Sequence, residues 1–302
     1  MTGVVRFGAV EAGGTKFVCL LGSSPDDIAA RTRIPTGDPK ETVADVVAFF
    51  EESAPQYGAP AAVGIASFGP VELRPTHPHY GFITSTPKPG WRDVDLVGPV
   101  RSALGVPVGF DTDVAGAALG EGRWGAAQGL GTFVYMTVGT GVGAAAVVGG
   151  RLAVGLGHAE MGHVSVPRQA GDDFPGACPY HGDCLEGMAA GGTVAARFGR
   201  PAENLDGADL EQAVAWEAGY LAAALRTIVY TIAPQRIVIG GSVAQLPGLF
   251  PLIREQLVVT LAGYGTLPEH AADEFVSPAG LGPLAGPAGA LVLAENALHP
   301  AT

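Results

Sequence analysis

Cysteine is almost absent, with three in 302 residues. So small and odd a number excludes the disulfide framework of a small secreted domain and points to a reducing, cytoplasmic compartment. Basic residues are scarce as well: 17 Lys and Arg face 29 Asp and Glu, for a formal net charge of -12. That balance disfavours nucleic acid and anionic membranes as partners, because side-chain binding of phosphate rests on Lys and Arg. Long apolar runs are missing too. A stretch such as "GAAAVVGG" is short and broken by glycine, far from the roughly 20 residues that a membrane span needs. The opening "MTGVVRFGAVEAGGTK" has no charged start, long apolar core or cleavage site of a secretion signal. Hydrophobic residues nevertheless make up 47% of the chain, so it is not disordered. The expectation is a soluble cytoplasmic protein, without nucleic-acid or membrane partners, large enough for two lobes.

Glycine is abundant, with 46 residues, and it punctuates the elements. "VVRFGAV" reads as a buried strand, and "GGTKFVCLLG" as a turn into a second one. "TVADVVAFFEES" has helical spacing, with Val43, Val46, Val47 and Phe50 on one face. "AAVGIASFGPVEL" is a strand ending at Gly69-Pro70, followed by a proline-punctuated loop. "VPVGFDTDVAGAALGEGRWG" reads as a strand, a turn at Asp111–Asp113 and a helix, and "GTFVYMTVGTGVGAAAVVGGRL" as a hairpin. Two helical stretches follow, the second being "LEQAVAWEAGYLAAALRTIVYTI". Then come the strand "RIVIGGSVA" and a closing helix in "LAGPAGALVLAENAL". Strands open both halves and end in glycine turns, which argues for an α/β protein of two lobes facing a cleft. The lobes are expected at 1–115, completed by a helix at about 286–302, and at 116–285.

Two glycine turns, "AVEAGGTK" and "VGTGVG", each join one strand to the next. Such a turn can aim backbone N–H groups at a phosphate with no Cβ in the way, and Thr15, Lys16 and Thr140 would add donors. Taken singly, each reads equally well as an ordinary hairpin turn. Asp113 follows an apolar strand and precedes a helix, a position that suits a general base at a strand end. On position alone a helix cap is the stronger reading, and Asp111 is read as structural.

His163, Cys178, His181 and Cys184 offer two thiolates and two imidazoles, a closed tetrahedral set for a structural zinc ion. Four protein ligands leave no open position for a catalytic water. Cys19, inside an expected strand, reads as a buried small hydrophobe. Pinning the loop would fix Glu160 and Glu186, carboxylates suited to the hydroxyls of a sugar. His163 could bind the ion through one ring nitrogen and a sugar hydroxyl through the other.

The order "EAGGTK", "DTDVAGAALGE", "TVGTGVGAAAVVGGRL", "HAEMGHVSV", "CPYHGDCLEG" and "VIGGSV" resembles the ROK family of sugar kinases and sugar-responsive repressors. It is most similar to the branch of bacterial ROK fructokinases with a Cys-x-x-His-x-x-Cys loop. The resemblance implies an actin-like ATPase (ribonuclease H-like) fold and a reaction between ATP, Mg²⁺ and a hexose, fructose first. It implies that Gly13, Gly14, Thr15 and Lys16 form a first phosphate turn, that Thr137, Gly139, Thr140 and Gly141 form a second, and that Gly240 and Gly241 belong to an adenosine motif. Asp113 aligns with the base that would deprotonate the sugar's 6-hydroxyl for attack on the γ-phosphate. Glu160, His163 and Glu186 align with sugar ligands, and Gly69 with the pocket wall, together with the loop from Thr84 to Trp91.

Two residues depart from the family pattern. Glu11 stands in place of an Asp, one methylene further towards Mg²⁺, and Thr112 replaces an Asn that bonds the sugar. The first strand begins by Val4, which leaves no room for the repressors' DNA-binding head. A glucose or mannose kinase and a non-catalytic sugar sensor are the other readings. Family members are often homodimers; the long helix from Trp216 to Ile232 reads equally as a contact for a second copy or as a core helix.

Overall fold

The structure, a computed structural model, describes residues 4–299. Residues 300–302 of the expected closing segment, and the first three of the opening, lie outside the described residues. The chain divides into two compact units: Met1–Gly125, Val154–His158 and Pro283–Thr302 form one, and Ala126–Ala153 and Ala159–Gly282 the other.

The first unit begins with an antiparallel meander, β1 (Phe7–Ala12), β2 (Lys16–Ser24) and β3 (Asp27–Pro35). Helix α1 (Pro39–Tyr57) starts where Asp38 accepts the N–H groups of Lys40 and Glu41, and it ends at Gly58. Its buried face includes Val43, Val46 and Phe50. Strand β4 (Val63–Ser67), the small ribbon β5 (Phe82–Ile83) and β6 (Val94–Asp95), helix α2 (Val97–Leu104) and strand β7 (Val108–Thr112) follow. Helix α3 (Asp113–Trp124) continues from β7. The sheet order is β3-β2-β1-β4-β7, with β1, β4 and β7 parallel. No turn separates β7 from α3, contrary to the sequence reading. Thr112 ends the strand and caps the helix, accepting the Ala115 N–H at 3.1 Å. A strand end that is itself a cap needs no connecting turn.

The second unit repeats this plan. Strands β8 (Phe133–Val138), β9 (Val142–Val148) and β10 (Arg151–Leu152) form a meander. Helices α4 (Leu185–Ala189), α5 (Gly191–Phe198) and α6 (Gly207–Ile232) follow, then β11 (Ile237–Gly240), α7 (Leu249–Leu261) and β12 (Val276–Pro278). The order β10-β9-β8-β11-β12, with β8, β11 and β12 parallel, matches the first sheet position for position. Its core joins Val134, Met136, Ile237 and Ile239 of the sheet to Leu221, Leu225 and Ile228 of α6 and to Leu257 and Leu261 of α7. Most of α6 from Ala213 to Val229 is therefore core. Among the described residues no helix is long and apolar enough to cross a membrane.

The chain returns to the first unit with α8 (Ala285–Leu298), which lies on β4, β7 and α3. The approach is very close: a Cβ on Gly289 would sit 1.5 Å from the carbonyl oxygen of Gly116. Only glycine admits two helices at that spacing. In both units the carboxyl ends of parallel strands lead into the glycine motifs and Asp113 singled out above, as open α/β sheets commonly do.

Candidate active site and metal centre

In the first unit the turn between β1 and β2 is closed by the Gly13 N–H donating to the Lys16 carbonyl at 3.0 Å. Thr36 braces it, its hydroxyl donating to the Gly13 carbonyl at 2.7 Å. Gly14, Thr15 and Lys16 are exposed, and the N–H groups of Gly14 and Thr15 donate to no acceptor among the described residues. Two adjacent outward N–H groups with a lysine beside them make a surface for an anion.

Glu11 is the second-last residue of β1, next to this turn. Burial first, then the charge of Asp113, push its carboxyl up to about 7, while Lys16 opposes the rise. Glu11, Lys16 and Asp113 therefore share one electrostatic neighbourhood. A carboxylate held in so dry a place, beside another carboxylate, suits a hard divalent cation. Asp113 is the first residue of α3, and its Oδ1 accepts the Val114 N–H at 2.8 Å. The cap reading thus falls to Thr112, and the Asp113 carboxylate is oriented at a helix N-terminus, where negative charge is favoured. Asp111 is buried behind it; burial pushes its carboxyl up to about 6, against the Thr112 N–H and His158. Gly69 lies beside His158, whose Nε2 accepts the Val71 N–H at 3.1 Å. Trp91 is wholly buried against Phe17 and Phe68, so this end of the Thr84–Trp91 loop belongs to the core.

In the second unit β8 and β9 are joined by Gly139, Thr140 and Gly141, with the Gly139 N–H donating to the Gly141 carbonyl at 2.9 Å. Thr140 is exposed at the tip, and Thr137 sits on β8 between Gly143 of β9 and Gly240 of β11. Gly240 ends β11 next door and Gly241 follows it: a Cβ on Gly139 would lie 4.0 Å from the Ser242 nitrogen.

The same unit gathers His163, Cys178, His181 and Cys184, whose ligand atoms all lie within 4.8 Å of one another. His163 comes from a 3-10 turn, Met161–His163, and Cys184 from the residue that opens α4. Cys178 and His181 sit on the tight turn formed as Cys178 and Gly182 exchange backbone hydrogen bonds of 3.1 and 3.0 Å. His163 turns its Nδ1 to the sulfurs and its Nε2 to Oε1 of Glu186, 4.0 Å away. Glu186 lies in the first turn of α4, and its Oε2 accepts the Val142 N–H at 3.1 Å. Glu160, just ahead of the 3-10 turn, is exposed, and its carbonyl accepts the His163 N–H.

Residues 7–297 match the sequence profile of the ROK family. The chain belongs to the ROK family. Its relatives include a protein of Pediococcus pentosaceus named fructokinase, 41% identical over 96% of this chain and 98% of that one. A protein of Zymomonas mobilis subsp. mobilis, also named fructokinase, is 42% identical over 95% and 96%. Among solved structures, the ROK hexokinase of Thermus thermophilus superposes with a TM-score of 0.77 at 27% identity, covering 96% of this chain and 98% of that one. The α/β, actin-like fold implied by the motifs is the fold of these ROK structures.

Sequence reading passed over three features of this ROK chain. The imidazole of His158 stands within the quoted "HAEMGH", but nothing in the motif shows its hydrogen bond to residue 71. The bond from Val142 to Glu186 uses a backbone donor, which has no sequence signature. Arg197 forms a buried ion pair with Asp172; in the sequence it is one arginine in an ordinary helical stretch.

Proposed function

We propose that this ROK protein is an ATP-dependent fructokinase that transfers the γ-phosphate to the 6-hydroxyl of fructose, with Asp113 as general base. The observation that carries the reading is the placement of Asp113: a carboxylate at the junction of β7 and α3, oriented by the Val114 N–H, in the same neighbourhood as Glu11 and Lys16. Two relatives of nearly equal length named fructokinase support the choice of sugar.

In this reading the turn at Gly13, Gly14, Thr15 and Lys16 and the one at Thr137, Gly139, Thr140 and Gly141 receive phosphates on backbone N–H groups, Thr hydroxyls and Lys16. Gly240 and Gly241 lie under the adenosine. Such fixed dipoles let an acidic chain bind a polyanion without a basic patch. Glu11 is the residue that would hold Mg²⁺, which when bound neutralises charge on the transferring phosphoryl group. Glu160, His163 and Glu186 hold sugar hydroxyls, with Gly69 and Thr112 lining the approach. Asp113 accepts the hydroxyl proton as the oxygen attacks.

The metal centre is assigned as structural zinc. Zn–S of about 2.3 Å and Zn–N of about 2.0–2.1 Å at a tetrahedral angle separate neighbouring sulfur and nitrogen by about 3.6 Å. The separations from Cys178 Sγ to His163 Nδ1 and to His181 Nδ1 are both 3.7 Å, and Cys184 Sγ lies 3.5 Å from His163 Nδ1. Two thiolates and two neutral imidazoles also balance the charge of the ion. A cytoplasmic location and a homodimer belong to the same reading; Tyr230, Val259 and Tyr264 are among the exposed apolar side chains of the second unit open to such a contact.

The test is ADP release with Mg-ATP against fructose, mannose and glucose, with Asp113→Asn as control. The expected result is the highest kcat/KM on fructose and a loss of about 10²–10⁴-fold in the variant. A higher kcat/KM on glucose or mannose would move the assignment to that sugar. Full activity of Asp113→Asn would remove Asp113 from the chemistry.

A further inference from the structure

The residue that follows the second glycine turn is held at both its N–H and its carbonyl by the elements that carry the sugar-binding candidates. Val142 is the first residue after Gly139-Thr140-Gly141. Its N–H donates to Oε2 of Glu186 at 3.1 Å. Its carbonyl lies under Gly162, where a Cβ would come within 1.8 Å of the oxygen. Any other residue at position 162 would push the two apart. The Glu186 carboxylate also lies against Gly141, where a Cβ would sit 2.7 Å from Oε2. At the other end of the turn the Gly139 carbonyl accepts the Gly191 N–H at 2.7 Å. Glu186 lies in the first turn of α4 and Gly191 opens α5, with only Ala190 between the two helices, so one short helical corner braces both ends of the turn.

We propose that Glu186 is a positioning residue for the nucleotide as well as a sugar ligand, coupling sugar binding to the phosphate turn through the Val142 peptide. The proposal rests on the reading of Glu186 and His163 as sugar ligands and of Gly139–Gly141 as a phosphate turn. Its physical basis is the division of labour between the two carboxylate oxygens. Oε2 is committed to the Val142 N–H, a charge-assisted bond stronger than a neutral one. Oε1 stands 4.0 Å from His163 Nε2, too far for a direct hydrogen bond. A metal ion held on Nδ1 of His163 would leave the ring proton on Nε2. A sugar hydroxyl that accepts from Nε2–H and donates to Oε1 fills that gap. It fixes the carboxylate, and a fixed carboxylate fixes the Val142 N–H and the turn before it. The ordering that the nucleotide would otherwise impose on the turn is then already done, which appears as tighter nucleotide binding.

The experiment measures the affinity of the full-length protein for Mg-AMPPNP by calorimetry, with and without saturating fructose. Amide exchange at Val142 is followed by NMR. Glu186→Ala removes the acceptor. Val142→Pro removes the donor and also fixes the backbone there, at a strand-opening position where proline is tolerated, and the ratio of affinities cancels any direct effect on either ligand. Wild type is expected to bind nucleotide at least about 5-fold tighter with fructose, and each variant less than about 2-fold tighter. Exchange at Val142 is expected to speed up by at least about 10-fold in Glu186→Ala, a change of about 1.4 kcal/mol. A wild-type ratio of one, or full coupling in either folded variant, overturns the coupling and leaves the kinase reading standing. Failure of wild type to bind fructose overturns the reading beneath it. Unchanged exchange at Val142 shows that the bond itself constrains nothing, and overturns the proposal whatever the sugar.

Discussion

Arg197 and Asp172 form an ion pair inside the second unit, with side chains only 5% and 1% exposed. Asp172 lies on the loop between the metal-centre residues His163 and Cys178, and Arg197 on α5. The guanidinium is flanked by the rings of Phe174 at 4.4 Å and Trp216 at 4.8 Å. It also donates to the Met188 carbonyl at the end of α4, the helix that carries Glu186. Tyr220 gives its hydroxyl proton to the second oxygen of Asp172, and the Phe174 N–H donates to the first. Burial works against the charge on Asp172, but these donors outweigh it and hold the carboxyl below its ordinary range. Glu217, wholly buried nearby, has no such donors among the described residues; burial raises its carboxyl well above the usual range despite Arg197. The loop is thus tied to the helices by an anchor that does not involve the metal.

From this anchor follows a stability prediction. Removing one partner of a buried pair leaves the other charge uncompensated, at a cost of about 3–5 kcal/mol. Arg197→Met and Asp172→Asn should each lose stability on that scale in urea unfolding. The double variant Arg197→Met/Asp172→Leu should recover part of the loss, because the stranded charge is gone. A single variant within about 1 kcal/mol of wild type would show that the pair is not a principal anchor.

The distance between sequence and structure is instructive here. The strands that end in glycine motifs, the β8–β9 hairpin, the long α6 and the Cys/His quartet were legible because hydrophobic pattern, turn residues and ligand spacing are local signals. Strand β3, with Arg31 and Arg33 alternating along an edge of the sheet, carries no continuous apolar run to mark it. Helix α7 has apolar residues nearly all round, with Val259 exposed and Leu257 buried, so its period is blurred. The anchor around Arg197 joins residues 172, 197 and 220, and the brace on the second glycine turn joins 142 to 162 and 186. Contacts of that range arise from topology, and one of the key groups is a peptide N–H that every residue but proline possesses.

Removing the metal tests the assignment of the quartet. Protein stripped with a chelator should lose thermal stability and fructose turnover together, and zinc should restore both. Cys178→Ser should behave as the stripped protein does even with zinc present, since it removes the sulfur facing both imidazoles. The Asp172 anchor should keep the stripped protein folded, with a lowered Tm and native secondary structure. Full turnover in protein shown by elemental analysis to hold no metal would end the assignment.

Asp111 provides a pH test. Its side chain is buried at the end of β7 and accepts the Thr112 N–H at 2.7 Å. Burial is the dominant influence and lifts the carboxyl from 3.8 to about 6. The folded state therefore holds this proton more tightly than the unfolded state. Between those values folding takes up a proton, so the contribution of Asp111 to stability falls as pH rises through the window and is fully lost above about 6. A shift of about 2 units corresponds to at most about 3 kcal/mol. Asp111→Asn keeps an acceptor for the Thr112 N–H and has no charge to bury. Its stability relative to wild type should rise from pH 4 to pH 6 and then level off, leaving the variant more stable at pH 7.5. Unfolding in urea at several pH values measures this directly, and a difference that does not vary with pH would mean that burial leaves the group unperturbed. A charge that weakens the fold, placed two residues from Asp113 and beside His158, is the kind of strain found at working sites. The more stable Asp111→Asn should accordingly be the poorer kinase, and equal turnover would make Asp111 a structural residue after all.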